Sequence, residues 1–127
     1  IIAQALGGKV EKYDGGWAVG RQTYDWQGKT IYLNAWHQDQ VVQRPIDAAP
    51  VASNAFCKNA ALVYSDRIFT MQAHPEFDNA FINGLITARA GTVPPEQIEV
   101  AKKNLTKNVD NAYLATQIGA FFKGTKV

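Results

Sequence analysis

Between Lys9 and about Ala73 the apolar residues of this 127-residue chain fall in short runs divided by turn-forming residues. The runs "KVEKY", "WAVGRQTYD", "TIYLNAW", "PVASNAF", "AALVYS" and "RIFTMQA" are rich in Val, Ile, Thr, Tyr, Phe and Trp. Branched and flat side chains suit a pleated surface, so each run reads as a β-strand. Asp14-Gly15-Gly16, Gln27-Gly28, Pro45, Pro50 and Ser65-Asp66 mark the turns. "LVYSDRIF" predicts a tight hairpin, because two apolar runs flank Ser-Asp. From Asp78 onward the spacing becomes helical. "DNAFINGLITARAG" offers Asp78 as N-cap, an apolar face of Phe81, Leu85 and Ile86, and a stop at Gly91. "PPEQIEVAKKNL" begins on proline and carries Glu96 and Glu99 in its first turns, where the helix dipole favours acids. "DNAYLATQIGAFFK" begins at Asp110 and carries Tyr113, Leu114, Ile118, Phe121 and Phe122.

The first residues complete the outline. "IIAQAL" reads as helix already under way, with Gly7-Gly8 as its C-terminal stop. A natural domain rarely begins inside a helix, so the expectation is the C-terminal part of something longer. A helix, then strands, then helices predicts an α/β or α+β fold. No internal linker breaks the pattern, so residues 1–127 are expected to belong to one incomplete domain.

Composition narrows the classes. Hydrophobic residues make up 46% of the chain, enough to supply a core, and charged residues 19%. The net charge of +2 is weak, and no Lys/Arg stripe appears, so no nucleic-acid partner is expected. No apolar run reaches the ~18 residues of a membrane helix, so no membrane partner is expected. A single cysteine cannot form an internal disulfide, which points to a reducing, cytoplasmic setting. His37 and His74 have no Cys or His neighbours at metal-ligand spacing, so neither a metal nor a cofactor is expected. The glycine pairs form no phosphate-binding loop. Trp17, Trp26 and Trp36 read as core or interface, because no basic residues interleave with them to make a base-stacking platform.

The candidate chemistry lies in "RIFTMQAHPEF". An apolar strand runs into His74, and Pro75 disfavours helical backbone at the residue before it. Glu76 can then swing its carboxylate back to the imidazole. That would hold one ring N–H and leave the other nitrogen free as a base. The pair is the base-plus-orienter half of a nucleophilic triad. The plain alternative is a satisfied strand-end histidine beside a surface glutamate.

Several stretches in order resemble the class I glutamine amidotransferases. "MQAHPEF" after "CKNAALVYSDRIF" is similar to the family's closing His-Pro-Glu motif. "NAWHQDQVVQRP" resembles its His-x-Asp-x-Val segment, and "PVASNAFCKNAALVY" the strands that follow. "IIAQALGGKVEKY" resembles the helix after the family's nucleophile elbow. "PPEQIEVAKKNL" and "DNAYLATQIGAFF" are similar to the helical tail of stand-alone members related to the GMP synthase glutaminase domain. The resemblance implies an α/β, flavodoxin-like fold whose N-terminal half is missing from this chain. It implies hydrolysis of the glutamine side-chain amide to glutamate and ammonia by a Cys-His-Glu triad, with His74 and Glu76 as the catalytic pair. The cysteine, in a Gly-x-Cys-x-Gly elbow, would lie upstream of Ile1, and residues 1–127 alone would be inactive. Cys57 has no flanking glycines and leads into a strand, so it reads as a small buried hydrophobe.

By resemblance, Trp36 and His37 would bind the amino-acid end of glutamine. Where the family often has Ser-His-Gly-Asp, this chain has Trp36, His37, Gln38 and Asp39, so side-chain contacts there differ. His37 and Asp39 read equally well as a structural loop, His37 bonding the backbone and Asp39 capping a turn. The implied partners are either the missing N-terminal half or a second copy, together with an ammonia-accepting synthase subunit. Two other readings stand beside this one: a hydrolase of γ-glutamyl peptides or amides on the same fold, and a non-catalytic fragment that acts through partner binding.

Overall fold

The computed structural model describes residues 1–127. A short helix α1 (Ile2–Ala5) precedes seven strands: β1 (Lys9–Lys12), β2 (Ala18–Trp26), β3 (Lys29–His37), β4 (Asp39–Gln43), β5 (Ala48–Ser53), β6 (Ala61–Tyr64) and β7 (Ile68–Met71). Three helices follow: α2 (Asn79–Arg89), α3 (Pro95–Lys103) and α4 (Asn111–Phe122), with a single 3-10 turn at Ala90–Thr92. Five strands form one sheet in the order β3-β2-β5-β6-β7, and β1 pairs with β4 in a separate ribbon. All the pairings among these strands are antiparallel.

The β2–β3 hairpin sets the frame for the site. Its two-residue loop, Gln27-Gly28, has φ of 50° and 86°, the left-handed pair whose twist matches that of paired strands. Asp25 Oδ1 accepts from Gly28 N at 2.6 Å and secures the turn. From there the register is continuous, bringing Trp36 opposite Val19 and His37 opposite Ala18. Side chains alternate along β3. Ile31 and Leu33 enter a core with Tyr24, Trp26, Val51 and Leu114 of α4. Trp36, on the other face, packs against a second core of Val19, Ile82, Ile86, Val93, Ile98 and Ala101 beneath α2 and α3.

α3 lies almost on the backbone of β2. Gly20 has φ 70°, and a Cβ there would stand 2.8 Å from Ala101 Cβ. Gly8 makes a similar approach, with Gln43 O only 2.6 Å from where its Cβ would be. Asp110 joins α4 to β3: its N–H donates to Tyr32 O and its Oδ2 accepts from Tyr32 N, both at 2.7 Å.

Five expectations need correction. Pro50, read as a turn, lies inside β5 opposite Leu62, next to an irregularity in the register. The chain between His37 and Pro45 contains β4, which pairs with β1, because alternation in "DQVVQ" is enough when an edge partner is present. The strand of "RIFTMQA" ends at Met71, short of His74. "PVASNAF" is strand only to Ser53, since Asn54 Oδ1 accepts from Cys57 N and turns the chain. On α2 the buried residues are Ile82 and Ile86, whereas Phe81 is exposed. Asp78 does cap α2, its side chain accepting from Phe81 N at 2.7 Å.

Candidate active site

Beyond Met71 the chain leaves its hairpin and crosses to β3. His74 N donates to Asn34 O at 2.8 Å, so the backbone of His74 is fixed by the strand at the opposite edge of the sheet from β7. Phe77 N then donates to His74 O at 3.0 Å, closing a turn over His74-Pro75-Glu76-Phe77. Proline suits the second position of such a turn because its ring presets φ. The turn puts Glu76 back over His74, and Glu76 Oε1 lies 2.7 Å from His74 Nδ1. A carboxylate only accepts, so Nδ1 carries the proton and Nε2 keeps its lone pair. Nε2 makes no hydrogen bond within the chain.

The ring plane is held as well. Phe77 stacks on the imidazole at 4.1 Å between centroids and 6° between planes, and Phe81 tilts against Phe77 at 4.3 Å. Asn34, 1% exposed, clamps the far end of the turn. Its Nδ2 donates to Phe77 O at 3.0 Å and to Asn79 Oδ1 at 3.1 Å. Asn111 Nδ2 donates to the same Phe77 carbonyl at 3.0 Å. One residue of β3 therefore holds both ends of the turn, by its carbonyl at His74 and its amide at Phe77. Asn34 was not legible as a site residue. A buried polar residue between Leu33 and Ala35 was the available signal.

Trp36 lines the same cleft as His74. His37 Nδ1 lies 3.1 Å from Asp39 O, and a carbonyl accepts, so Nδ1 is the protonated nitrogen. Its Nε2 is buried without a partner. Burial chiefly pushes the His37 pKa below the ordinary histidine value, and the charge of nearby His74 pushes the same way. A neutral His37 places no positive charge beside His74. Asp39 opens β4, and its carbonyl also accepts from Gln72 Nε2 at 2.8 Å.

Gln72 is a second residue the sequence did not single out. Besides donating to Asp39 O, it accepts from Val41 N at 3.1 Å and from Cys57 Sγ at 3.4 Å. With Asn59 Nδ2 donating to Val41 O at 2.7 Å, it ties the β1–β4 ribbon to the main sheet where no strand pairing does. Cys57 is 1% exposed, and burial pushes its thiol up to about 11. A thiol so protonated and enclosed is a poor nucleophile.

No helix is long and apolar enough to cross a membrane. No group of three or more His, Cys, Asp or Glu residues is placed to hold a metal ion.

No protein-family model matches the chain, and no curated protein does. Solved structures do. A glutamine amidotransferase from Methylobacillus flagellatus superposes with a TM-score of 0.73 at 18% identity, over 98% of this chain and 59% of its own length. One from Thermotoga maritima gives 0.66 at 18% identity, over 96% and 56%. A protein from Thermoplasma acidophilum, described as a candidate GMP synthase subunit, gives 0.53 at 22% identity, over 72% and 55%. The chain thus spans less than three-fifths of the length of these structures. Throughout that span its α/β architecture is the class I glutamine amidotransferase fold.

Proposed function

We propose that these residues form part of a glutamine amidotransferase domain that hydrolyses the glutamine side-chain amide to glutamate and ammonia. His74 is the general base, Glu76 its orienter, and Trp36 and His37 shape the glutamine site. The observation that carries this reading is the 2.7 Å Glu76–His74 contact, which leaves Nε2 unbonded at a cleft. The nucleophile is a cysteine thiol supplied by residues preceding Ile1. Ile1, Asp39 and Gln72 line one cavity, and Asp39 and Gln72 each stand two residues from a site histidine, so a segment leading into Ile1 arrives beside them.

His74 Nε2 takes the thiol proton as the thiolate adds to the amide carbon. The proton then passes to the departing nitrogen, and water hydrolyses the resulting thioester. Glu76 stabilises the imidazolium formed between these transfers. The ammonia would pass to a synthase partner, in the manner that the description of the Thermoplasma protein as a synthase subunit suggests.

The test is product analysis on the protein comprising this chain and the residues that precede it. Incubated with L-glutamine, it should release glutamate and ammonia in equal amounts. Cys57→Ser should barely change the rate, because the buried Cys57 thiol takes no part. Loss of turnover in Cys57→Ser would overturn the assignment of the nucleophile to the upstream segment.

A further inference from the structure

Two contacts between distant parts of the chain bracket His37. Before it on β3, Asn34 O accepts from His74 N at 2.8 Å. After it, Asp39 O accepts from the side chain of Gln72, whose Nε2 lies at 2.8 Å. The segment that bears one histidine is thus fastened on both sides by the segment that bears the other.

The second contact comes from an amide that copies a strand. Gln72 Nε2 donates to Asp39 O, and Gln72 Oε1 accepts from Val41 N at 3.1 Å. A backbone residue lying beside Gln40 in a parallel ladder would make the same pair of bonds. The orientation of the amide is fixed, since Val41 N–H can only donate and Asp39 O can only accept. Cys57 Sγ, 3.4 Å from Oε1, donates to the same oxygen. Asp39 O takes a second donor, His37 Nδ1 at 3.1 Å. A carbonyl has two lone pairs, so Gln72 and His37 occupy both. Gln72 therefore acts on His37 through one shared atom, while its own backbone N bonds Ala60 O at 2.8 Å.

We propose that Gln72 is a positioning residue: its side-chain amide holds the Asp39 carbonyl where that carbonyl fixes His37, and so sets how tightly the Trp36-His37 segment binds glutamine. This rests on the hydrolase reading above and adds a residue to it. His74 does not depend on the amide, because its backbone is bonded to Asn34 and its ring to Glu76. The contribution of Gln72 therefore belongs to binding and not to proton transfer. Asn59 gives the contrast. Its Nδ2 donates to Val41 O at 2.7 Å, so it ties the same ribbon without touching the Asp39 carbonyl.

The experiment measures kcat and KM for glutamine, with urea unfolding alongside, on the complete protein and three variants. Gln72→Met keeps the length of the side chain and removes both bonds. It should raise KM about tenfold and leave kcat within about twofold, the signature of lost binding common to ground and transition states. Asn59→Ala should lower stability and leave KM near native. Gln72→Glu adds a pH readout. A protonated carboxyl there can donate to Asp39 O and still accept from Val41 N, whereas a carboxylate can only accept. Facing the Asp39 carbonyl raises the pKa of the introduced carboxyl above the ordinary value of about 4.3. The ratio of variant to native KM should be near one below that raised pKa and grow as pH rises through it. Taking the ratio removes the titration of His37 and His74, which both proteins share. A Gln72→Met protein that loses stability but keeps the native KM would overturn the proposal. So would an Asn59→Ala rise in KM equal to that of Gln72→Met, or a Gln72→Glu ratio that is flat across pH. Each of these would leave the hydrolase reading standing, since the native protein still releases glutamate. Absence of glutamate release by the native protein would remove both.

Discussion

Replacing Asn34 should loosen the His74 turn from below without touching the histidine. Asn34→Ala deletes two hydrogen bonds, from Nδ2 to Phe77 O and to Asn79 Oδ1. The backbone bond from His74 N to Asn34 O survives, and Asn111 still serves Phe77 O. Two neutral hydrogen bonds at about 0.5–1.5 kcal/mol each give a loss of about 1–3 kcal/mol. The middle of that range lowers the melting temperature by roughly 4–8 °C for a domain of ordinary size. Asn34→Asp separates hydrogen bonding from volume. It keeps the shape but turns a donor into an acceptor facing two acceptors, with a charge that is buried, so it should cost at least as much as alanine. The assay is urea unfolding of the complete protein for both variants, with glutamine turnover alongside. Turnover should fall mainly in kcat, because the misplaced group is the proposed base. An Asn34→Asp protein as stable and active as the native one would refute the clamp.

Gly20→Ala should destabilise by about 2–4 kcal/mol, because the new methyl meets Ala101 and the residue must keep a positive φ; a melting temperature within a degree or two of native would contradict that packing. Acid should weaken the fold through His37. Its folded pKa is depressed, so the unfolded chain takes up a proton that the folded chain resists, and stability is full above the ordinary value of 6.5 and declines as pH falls below it. His37→Gln should flatten that part of a stability-against-pH curve measured by denaturant unfolding.

Much of the strand order was readable because it rests on local chemistry. Gln27-Gly28 and Ser65-Asp66 mark real hairpin turns, and Gln27 and Ser65 both adopt positive φ. The His74–Glu76 contact also follows from local geometry, since proline forces a turn that brings the carboxylate back. What could not be read depends on residues far apart in the chain. Asn34 meets Phe77 across 43 positions, and Gln72 meets Asp39 across 33. Neither has a sequence signature beyond being an amide among apolar neighbours. The buried face of α2 departs from its sequence pattern for a related reason. Phe81 has the larger apolar surface, but a tilted contact with Phe77 holds it at the cleft, and Ile82 takes the core position instead.

We propose His74, oriented by Glu76, as the base for amide hydrolysis, and glutamate release by the complete protein is the deciding measurement. His74→Ala should lower kcat/KM on glutamine by several powers of ten, of the order of 10⁴ for loss of a triad base. Glu76→Gln should lower it less, because an amide still bonds the ring but no longer stabilises the imidazolium. Denaturant unfolding should show both variants folded, as Glu76 is largely exposed and His74 partly so. A folded His74→Ala protein that turns over glutamine within tenfold of the native rate would exclude His74 as the base.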